Sequence, residues 1–510
     1  MQLTLSNWQN NSTQRPLRPT LLAIGGNDCS GLAGLTMDSR TAQAFGVHMM
    51  PAVTANTVQS PYSIDSINPV SNSVLQSQIT ACLQRFPEAI KIGLVANHEQ
   101  LEKLAALIDS SDAPVIFDPV IQASSGQKLI SPDTSQHLHE WLQACIEYLL
   151  PKVTLVTPNI YEVERLTGIK ISQLEDFEVA AQALRSLGAN HVLITGGHFK
   201  HKTNSGVWSH DFYCGENESF WLSNKFIDSI NTRGTGCALA TSIASTLALG
   251  ASIEDAVVIG KMAVHQGIRK GYGIGSESGP IAIESFPRDL LDLPLISKQQ
   301  PKQLNTAGFP RVEAKGIYPI VDRAHWIDTL APLGVQLVQL RIKDLAGDAL
   351  KEELQNAVLL GKKHHCEIWI NDHWQLAIDI EADGVHLGQD DLNSANIDAI
   401  KMAGLKLGIS THCHYEVARA HALQPSYIAV GPVFPTQTKS MPWRPLGIEG
   451  VKYWREVLNY PLVAIGGIDQ SNLSNFANTG IEMIAMISAI TQSNDPVKST
   501  QKFIETLNND

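Results

Sequence analysis

Two parts of this chain bring together residue types that handle phosphate. In the first, Asn231-Thr232-Arg233-Gly234-Thr235-Gly236-Cys237 runs into the small, apolar helical pattern Ala238-Leu239-Ala240-Thr241-Ser242-Ile243. Glycine backbone approaches an anion closely, and the unpaired N–H groups that open a helix carry partial positive charge. Gly234 and Gly236 therefore read as an anion cradle at a transferred phosphate. Cys237 closes it, in a setting that favours a thiolate. No G-x-x-x-x-G-K-[ST] run occurs, so a nucleotide needs this other cradle. Asn159 and Glu162 offer the oxygen donors that suit magnesium, directly or through water.

In the second part, Gln339-Leu340-Arg341-Ile342-Lys343 places cations at the end of an apolar run, where Arg341 and Lys343 can receive a diphosphate. Asn371-Asp372 and Gly388-Gln389-Asp390-Asp391 follow, and the carboxylates of Asp372 and Asp391 can share one magnesium ion with diphosphate oxygens. Pro435-Thr436-Gln437-Thr438-Lys439 adds hydroxyls and a further cation, and Ile465-Gly466-Gly467-Ile468 offers exposed backbone to a separate phosphate. His386 and His412 read as packed or rim histidines, and His412-Cys413-His414 lacks a complete zinc set. Gly271-Tyr272-Gly273-Ile274-Gly275 lacks the preceding strand and following helix of a dinucleotide loop.

These residues must be positioned by elements. Leu21–Ile24, Val115–Phe117, Leu155–Val156 and His191–Ile194 are apolar runs that each precede a helical-looking stretch, the rhythm of parallel strands with crossovers. Periodicity fades between about Phe286 and Lys315, where prolines and polar residues gather, and a linker is expected at 287–315. A shorter beat then begins: Gly316–Val321, Leu337–Leu340, Glu367–Ile370, Gly384–Leu387, Lys406–Ile409, Tyr427–Val430, Leu462–Ile465 and Met483–Met486. Eight such runs predict a (β/α)₈ barrel, with polar residues converging at the strands' C-terminal ends. The expected division is an extension at 1–20, an α/β domain at 21–286, the linker, and the barrel at 316–510.

A length of 510 residues accommodates two large domains, and a hydrophobic fraction of 44% gives no sign of disorder. A net charge of −12 without a long basic run argues against nucleic-acid binding. The seven cysteines lack zinc spacing and read as free thiols of a reducing compartment. The polar opening and the lack of a spanning apolar run lead to the expectation of a cytoplasmic protein.

From about Leu21 to Phe286 the chain resembles the hydroxymethylpyrimidine and phosphomethylpyrimidine kinases of the ribokinase-like superfamily. The resemblance rests on Gly26-Asn27-Asp28-Cys29-Ser30-Gly31-Leu32-Ala33-Gly34, Asp118-Pro119-Val120, Thr157-Pro158-Asn159-Ile160-Tyr161-Glu162, Gly196-Gly197-His198 and the Gly234–Cys237 cradle. It implies a three-layer α/β fold, ATP as phosphoryl donor and magnesium. It further implies Cys237 as catalytic base, Gln59 and Asp38 at the pyrimidine, and Asn159 and Glu162 at the nucleotide and metal. Leu32 stands where the family has glycine, and Ser124 where it usually has lysine.

From about Gly316 to Thr491 the chain closely resembles thiamine-phosphate synthase, through QLRIKD, INDHW, GVHLGQDD, GISTH, VFPTQTK and AIGGI in family order. The resemblance implies that Gln339, Leu340, Arg341, Ile342, Lys343, Asn371, Ser410 and Lys439 hold a pyrimidine diphosphate. Thr436, Gln437, Thr438, Gly467, Ile487 and Ser488 would hold a thiazole phosphate, and Asp372 and Asp391 magnesium. The product of the first activity is the substrate of the second, which implies a bifunctional transferase of thiamine biosynthesis that yields thiamine phosphate and pyrophosphate. Its partners would be small molecules rather than nucleic acid or membrane, and related kinases make a homo-oligomer an analogy. Alternatives for the N-terminal half are a pyridoxal-type kinase and a ligand-binding module whose chemistry has lapsed.

Overall fold

The computed structural model describes residues 17–60, 63–122, 135–197, 199–203, 205–275, 277–302, 307–436 and 443–508. The chain divides into two compact units that part between Leu304 and Asn305. Ser124, His198, Gln437, Thr438 and Lys439 lie outside the described residues.

The N-terminal unit is built on a single sheet whose order is β11-β10-β9-β7-β6-β5-β4-β1-β2-β3, with β8 beside β9. Its strands are β1 (Thr20–Asp28), β2 (His48–Gln59), β3 (Ile64–Pro69), β4 (Ala89–Ile92), β5 (Val115–Phe117), β6 (Leu155–Val156), β7 (His191–Ile194), β8 (Lys200–Thr203), β9 (Gly206–Cys214), β10 (Ser219–Lys225) and β11 (Leu295–Ser297). From β2 through β7 the pairing is parallel. Such strands are covered on both faces and read as continuous apolar runs: Leu21, Leu22, Ala23 and Ile24 are all fully buried. Leu22 and Ile24 join a core with residues of the helices Asn72–Leu83, His98–Ile108 and Leu174–Ser186. The helices Gly34–Ala44 and Thr235–Ala248 also pack on β1. The result is the expected three-layer α/β fold.

Residues expected in the linker are partly structural. Leu295–Ser297 forms β11, antiparallel to β10, with Ile296 opposite Leu222. Just before it, the fully buried Asp292 lies 2.7 Å from His265 Nδ1 and accepts from Arg269 Nε over 2.9 Å. At the other end, Phe309 N donates to Gln424 O and Val312 N to Ser426 O, which ties 309–312 to the barrel. The sequence hides this because a three-residue strand between Pro294 and Pro301 is too short to show a period.

The C-terminal unit is a closed parallel barrel of β12 (Gly316–Val321), β13 (Leu337–Leu340), β14 (Glu367–Asn371), β15 (Gly384–Leu387), β16 (Lys406–Thr411), β17 (Tyr427–Val430), β18 (Leu462–Ile465) and β19 (Met483–Met486). Each strand begins where its apolar run begins. Tyr318, Trp369 and Tyr427 fill part of the interior. Two glycines make room for them: a Cβ on Gly384 would fall 2.7 Å from the Trp369 ring, and one on Gly408 would run into the Tyr427 ring.

Candidate active sites

All seven residues singled out in the N-terminal half, Asp38, Gln59, Asn159, Glu162, Gly234, Gly236 and Cys237, line one cavity of about 1040 Å³. Gly234 precedes the helix Thr235–Ala248 in a left-handed conformation, φ +82°. A side chain there would also meet the Leu32 carbonyl oxygen, 2.6 Å from the Cβ position. The loop is tied to the chain beyond the next helix: Arg233 N donates to Gly279 O, and Asn231 Oδ1 accepts from Gly279 N over 2.8 Å. Facing it, the loop after β1 folds around Asp28, whose carboxylate accepts from Ser30 N, Leu32 N and Ala33 N. Leu32 is buried and is not among the residues with positive φ, so its backbone does not require the family's glycine.

Asp38 is fully buried, and its carboxylate is engaged by the Lys91 ammonium at 3.0 and 2.9 Å and by the Thr241 hydroxyl at 2.7 Å. Burial alone would lower the Lys91 pKa, but Asp38, Cys237 and Asp118 hold it well above its ordinary value. Lys91 was missed by sequence reasoning. The available signal was one lysine inside the otherwise apolar strand Ala89-Ile90-Lys91-Ile92.

Burial pushes the Cys237 thiol up to about 12, with Asp38 and Asp118 adding to this against the pull of Lys91. The expectation that a helix start favours its thiolate is therefore corrected: desolvation outweighs the helix and the nearby ammonium. Burial, with repulsion from Asp38, also lifts Asp118 to about 6 against the pull of Lys91. Glu162 is raised by burial and by Asp118. Asn159 and Glu162 form a reciprocal cap on the helix Ile160–Thr167: Asn159 Oδ1 accepts from Glu162 N at 3.1 Å, and Glu162 Oε2 from Asn159 N at 2.9 Å. The capping role and a place on the cavity wall thus coexist. Lys261 and Asp211, also on the wall, pair at 2.7 Å.

In the barrel, the chosen residues within the described chain sit at the C-terminal ends of β13, β14, β16, β18 and β19 or in the loops that follow the strands. Lys343 Nζ donates to Asp372 over 2.6 Å. Asp372 has φ +64°, and its carboxylate meets that of Asp391. Loss of solvent would raise Asp372, but the Lys343 hydrogen bond and charge hold it low. Asp391 is raised by burial and by Asp372. The pair therefore shares a proton or a cation more readily than it carries two bare charges. Leu340 and Ile342 are buried. Gly467 has φ +66°, and a Cβ there would strike Pro435 O. Arg341 and Asn371 lie at the ends of β13 and β14, Thr436 lies beyond β17, and Ile487 and Ser488 directly follow β19.

His386 lies between Tyr427 OH and Ser410 Oγ, each 2.7 Å away, and burial lowers it to about 4. His412 pairs with Glu416 at 2.7 Å, while His414 lies 2.7 Å from Tyr453 OH. The histidines of this segment thus turn to separate partners. All seven cysteines are free thiols. No helix among the described residues is long and apolar enough to cross a membrane.

The family model for phosphomethylpyrimidine kinase matches residues 28–282, and that for thiamine monophosphate synthase matches residues 315–490. The thiamine-phosphate synthase of Proteus mirabilis is 46% identical over 204 residues, which cover 40% of this chain and 95% of that protein. That of Photorhabdus laumondii is 47% identical over 198 residues, 38% of this chain and 91% of its own. Among solved structures, a Clostridium difficile phosphomethylpyrimidine kinase is 30% identical, covering 49% of this chain and 100% of its own, with a TM-score of 0.42. A Staphylococcus aureus pyridoxal kinase in complex with ADP is 28% identical, covering 55% and 98%, with a TM-score of 0.49. The family matched by the N-terminal unit favours the pyrimidine reading over the pyridoxal-type alternative. The chain belongs to the phosphomethylpyrimidine kinase family through its N-terminal unit and to the thiamine-phosphate synthase family through its barrel, and is a bifunctional enzyme of thiamine biosynthesis.

Proposed function

We propose that the N-terminal cavity transfers phosphoryl groups from ATP to hydroxymethylpyrimidine and then to its monophosphate. The Gly234–Cys237 backbone faces the transferring phosphate, Gln59 orients the pyrimidine, and Cys237 accepts the hydroxyl proton. Asp38 acts through Lys91, fixing a positive charge near the thiol. With its pKa pushed up to about 12, Cys237 is a thiol at neutral pH and takes the hydroxyl proton only in its minor thiolate form, which the Lys91 ammonium favours.

Among the described residues no cluster of three His, Cys, Asp or Glu side chains fits a metal. Magnesium is normally held by one or two carboxylates together with substrate phosphates and water. Glu162, with Asp118 and Asn159 nearby, fits that donor set in the kinase, and Asp372 with Asp391 fits it in the barrel. The ion would supply charge neutralisation at the phosphates.

In the barrel, Gln339, Asn371, Ser410 and the backbone of Leu340 and Ile342 orient the pyrimidine diphosphate, while Arg341, Lys343 and Lys439 stabilise departing pyrophosphate. Thr436, Gln437, Thr438, Gly467, Ile487 and Ser488 hold the thiazole phosphate, whose ring nitrogen attacks the pyrimidine methylene. In this reading the chain works in the cytoplasm and, by analogy with related kinases, as a homo-oligomer.

The observation that carries the proposal is the convergence of Asp38, Gln59, Asn159, Glu162, Gly234, Gly236 and Cys237 on one cavity. The test is thiamine phosphate formation from hydroxymethylpyrimidine, ATP, magnesium and thiazole phosphate. Cys237→Ala should abolish it unless preformed pyrimidine diphosphate is supplied, and Asp372→Ala should abolish it in either case. Product from the intact chain only with preformed diphosphate would refute the kinase assignment.

A further inference from the structure

An uninterrupted polar line crosses the inside of the barrel. Gln339 Nε2 donates to Tyr318 OH over 3.1 Å, Tyr318 OH lies 3.0 Å from Tyr427 OH, Tyr427 OH lies 2.7 Å from His386 Nδ1, and His386 Nε2 lies 2.7 Å from Ser410 Oγ. Gln339, Tyr318, Tyr427 and His386 are all buried, whereas Ser410 is half-buried near the C-terminal end of β16. Tyr427 can reach across because its strand neighbour Gly408 has no side chain to block the ring.

With the Gln339 amide as donor, only one direction along this line gives every buried phenol proton an acceptor on it. A phenol carries one proton. Tyr318, having accepted from the Gln339 amide, gives its proton to Tyr427, and Tyr427 gives its own to His386 Nδ1. His386 Nδ1 thus accepts from Tyr427, which places the ring's N–H on Nε2, directed at Ser410. The Ser410 hydroxyl has then accepted from His386 and must send its own proton elsewhere, toward the barrel mouth.

We infer that Tyr318, Tyr427 and His386 are positioning residues that make Ser410 an obligate hydrogen-bond donor to the pyrimidine substrate. The inference rests on the proposed contact between Ser410 and the pyrimidine diphosphate. It adds a rule of specificity. An aminopyrimidine offers a bare ring nitrogen beside its amino group and satisfies the donor, whereas the oxo analogue carries N–H at that nitrogen and meets donor with donor. A site built around one such hydrogen bond rejects a mismatched group far more strongly than it rejects a change of shape.

The test uses the full chain labelled with ¹⁵N-histidine, with the His386 resonances identified by their loss in His386→Gln. The expected signature is a neutral ring protonated on Nε2. A ring protonated on Nδ1, or on both nitrogens, at neutral pH would overturn the inference. In turnover with preformed diphosphate, Tyr427→Phe should lower synthase kcat about tenfold and leave KM for thiazole phosphate unchanged. Adding it to Ser410→Ala should cost nothing further. Independent, multiplying losses would show that Tyr427 acts by packing alone, against the proposal. Absence of synthase turnover in the intact chain would sink the functional reading itself. The tautomer, read without turnover, tells that failure apart from a failure of the relay.

Discussion

The Lys91 ammonium sits 3.0 and 2.9 Å from the two carboxylate oxygens of Asp38, and neither side chain is more than 1% exposed. A buried pair of this kind is costly to break from one side, because the remaining charge has neither water nor partner. Lys91→Met should therefore destabilise the N-terminal unit by about 3–5 kcal/mol. Hydrogen exchange is the suitable measurement: protection should fall in β1 and in the helix Thr235–Ala248, and combining Lys91→Met with Asp38→Asn should restore more than half of it. Equal protection in the single and double variants would contradict this.

Cys237 makes a prediction about pH. Its thiol is pushed up to about 12, so a reaction that uses it as base should gain rate with rising pH throughout the neutral and mildly alkaline range. Kinase kcat/KM should still be climbing at about pH 9, short of the thiol's own pKa. Cys237→Ala should lower it by roughly 10²–10⁴. A profile that is flat from neutral pH upward would remove Cys237 from the proton transfer.

Asp118 works against stability where the kinase operates. Its pKa is raised to about 6 in the folded unit, so the native state binds this proton more tightly than the unfolded chain does. The stabilisation is fully present below the ordinary aspartate range and is lost as pH rises through about 6. Urea unfolding of Asp118→Asn should lack this fall, gaining up to about 3 kcal/mol on wild type between acid and neutral pH. Kinase turnover should drop in the same variant. Parallel stability profiles for the two proteins would count against the assignment.

Asp391 and Asp372 should couple magnesium to protons in the synthase. Asp391 is raised and Asp372 lowered, so acidification protonates Asp391 first. Metal binding must then displace that proton, and the magnesium concentration giving half-maximal synthase rate should rise as the solution becomes more acidic. Asp391→Asn should weaken magnesium activation and flatten this dependence. An unchanged magnesium requirement in that variant would exclude Asp391 from the metal.

The barrel was readable because each strand is a run of buried apolar residues ended by a polar one, and the eight runs beginning at Gly316 correspond to β12 through β19. Four parallel strands of the N-terminal unit, β1, β5, β6 and β7, were readable for the same reason. The strands β2, β3, β4, β8, β9, β10 and β11 escaped: β3 and β8 are partly exposed and β11 has three residues, so neither period develops in them, while β2, β4, β9 and β10 carry polar residues such as Thr54, Lys91, His210 and Ser223 inside the sheet. In the sites, residues carried by a motif, such as Gly234 and Asp372, were legible. Lys91, Tyr318 and Tyr427 were not, because in sequence each looks like part of a strand interior, and only the fold shows what its polar atom touches.

The placement of β11 bears on how the polypeptide can be dissected. A cut at residue 286, where periodicity fades, would strip Leu295–Ser297 from the sheet and remove Asp292 from His265 and Arg269. The backbone of β10 would then present a bare edge, a template for pairing with another chain. Separate expression of the two enzymes should use a break between Lys302 and Ala307, so that the first fragment retains its own sheet margin and the second retains Phe309 and Val312. A kinase fragment ended earlier would be expected to aggregate even though every residue of its cavity wall is present.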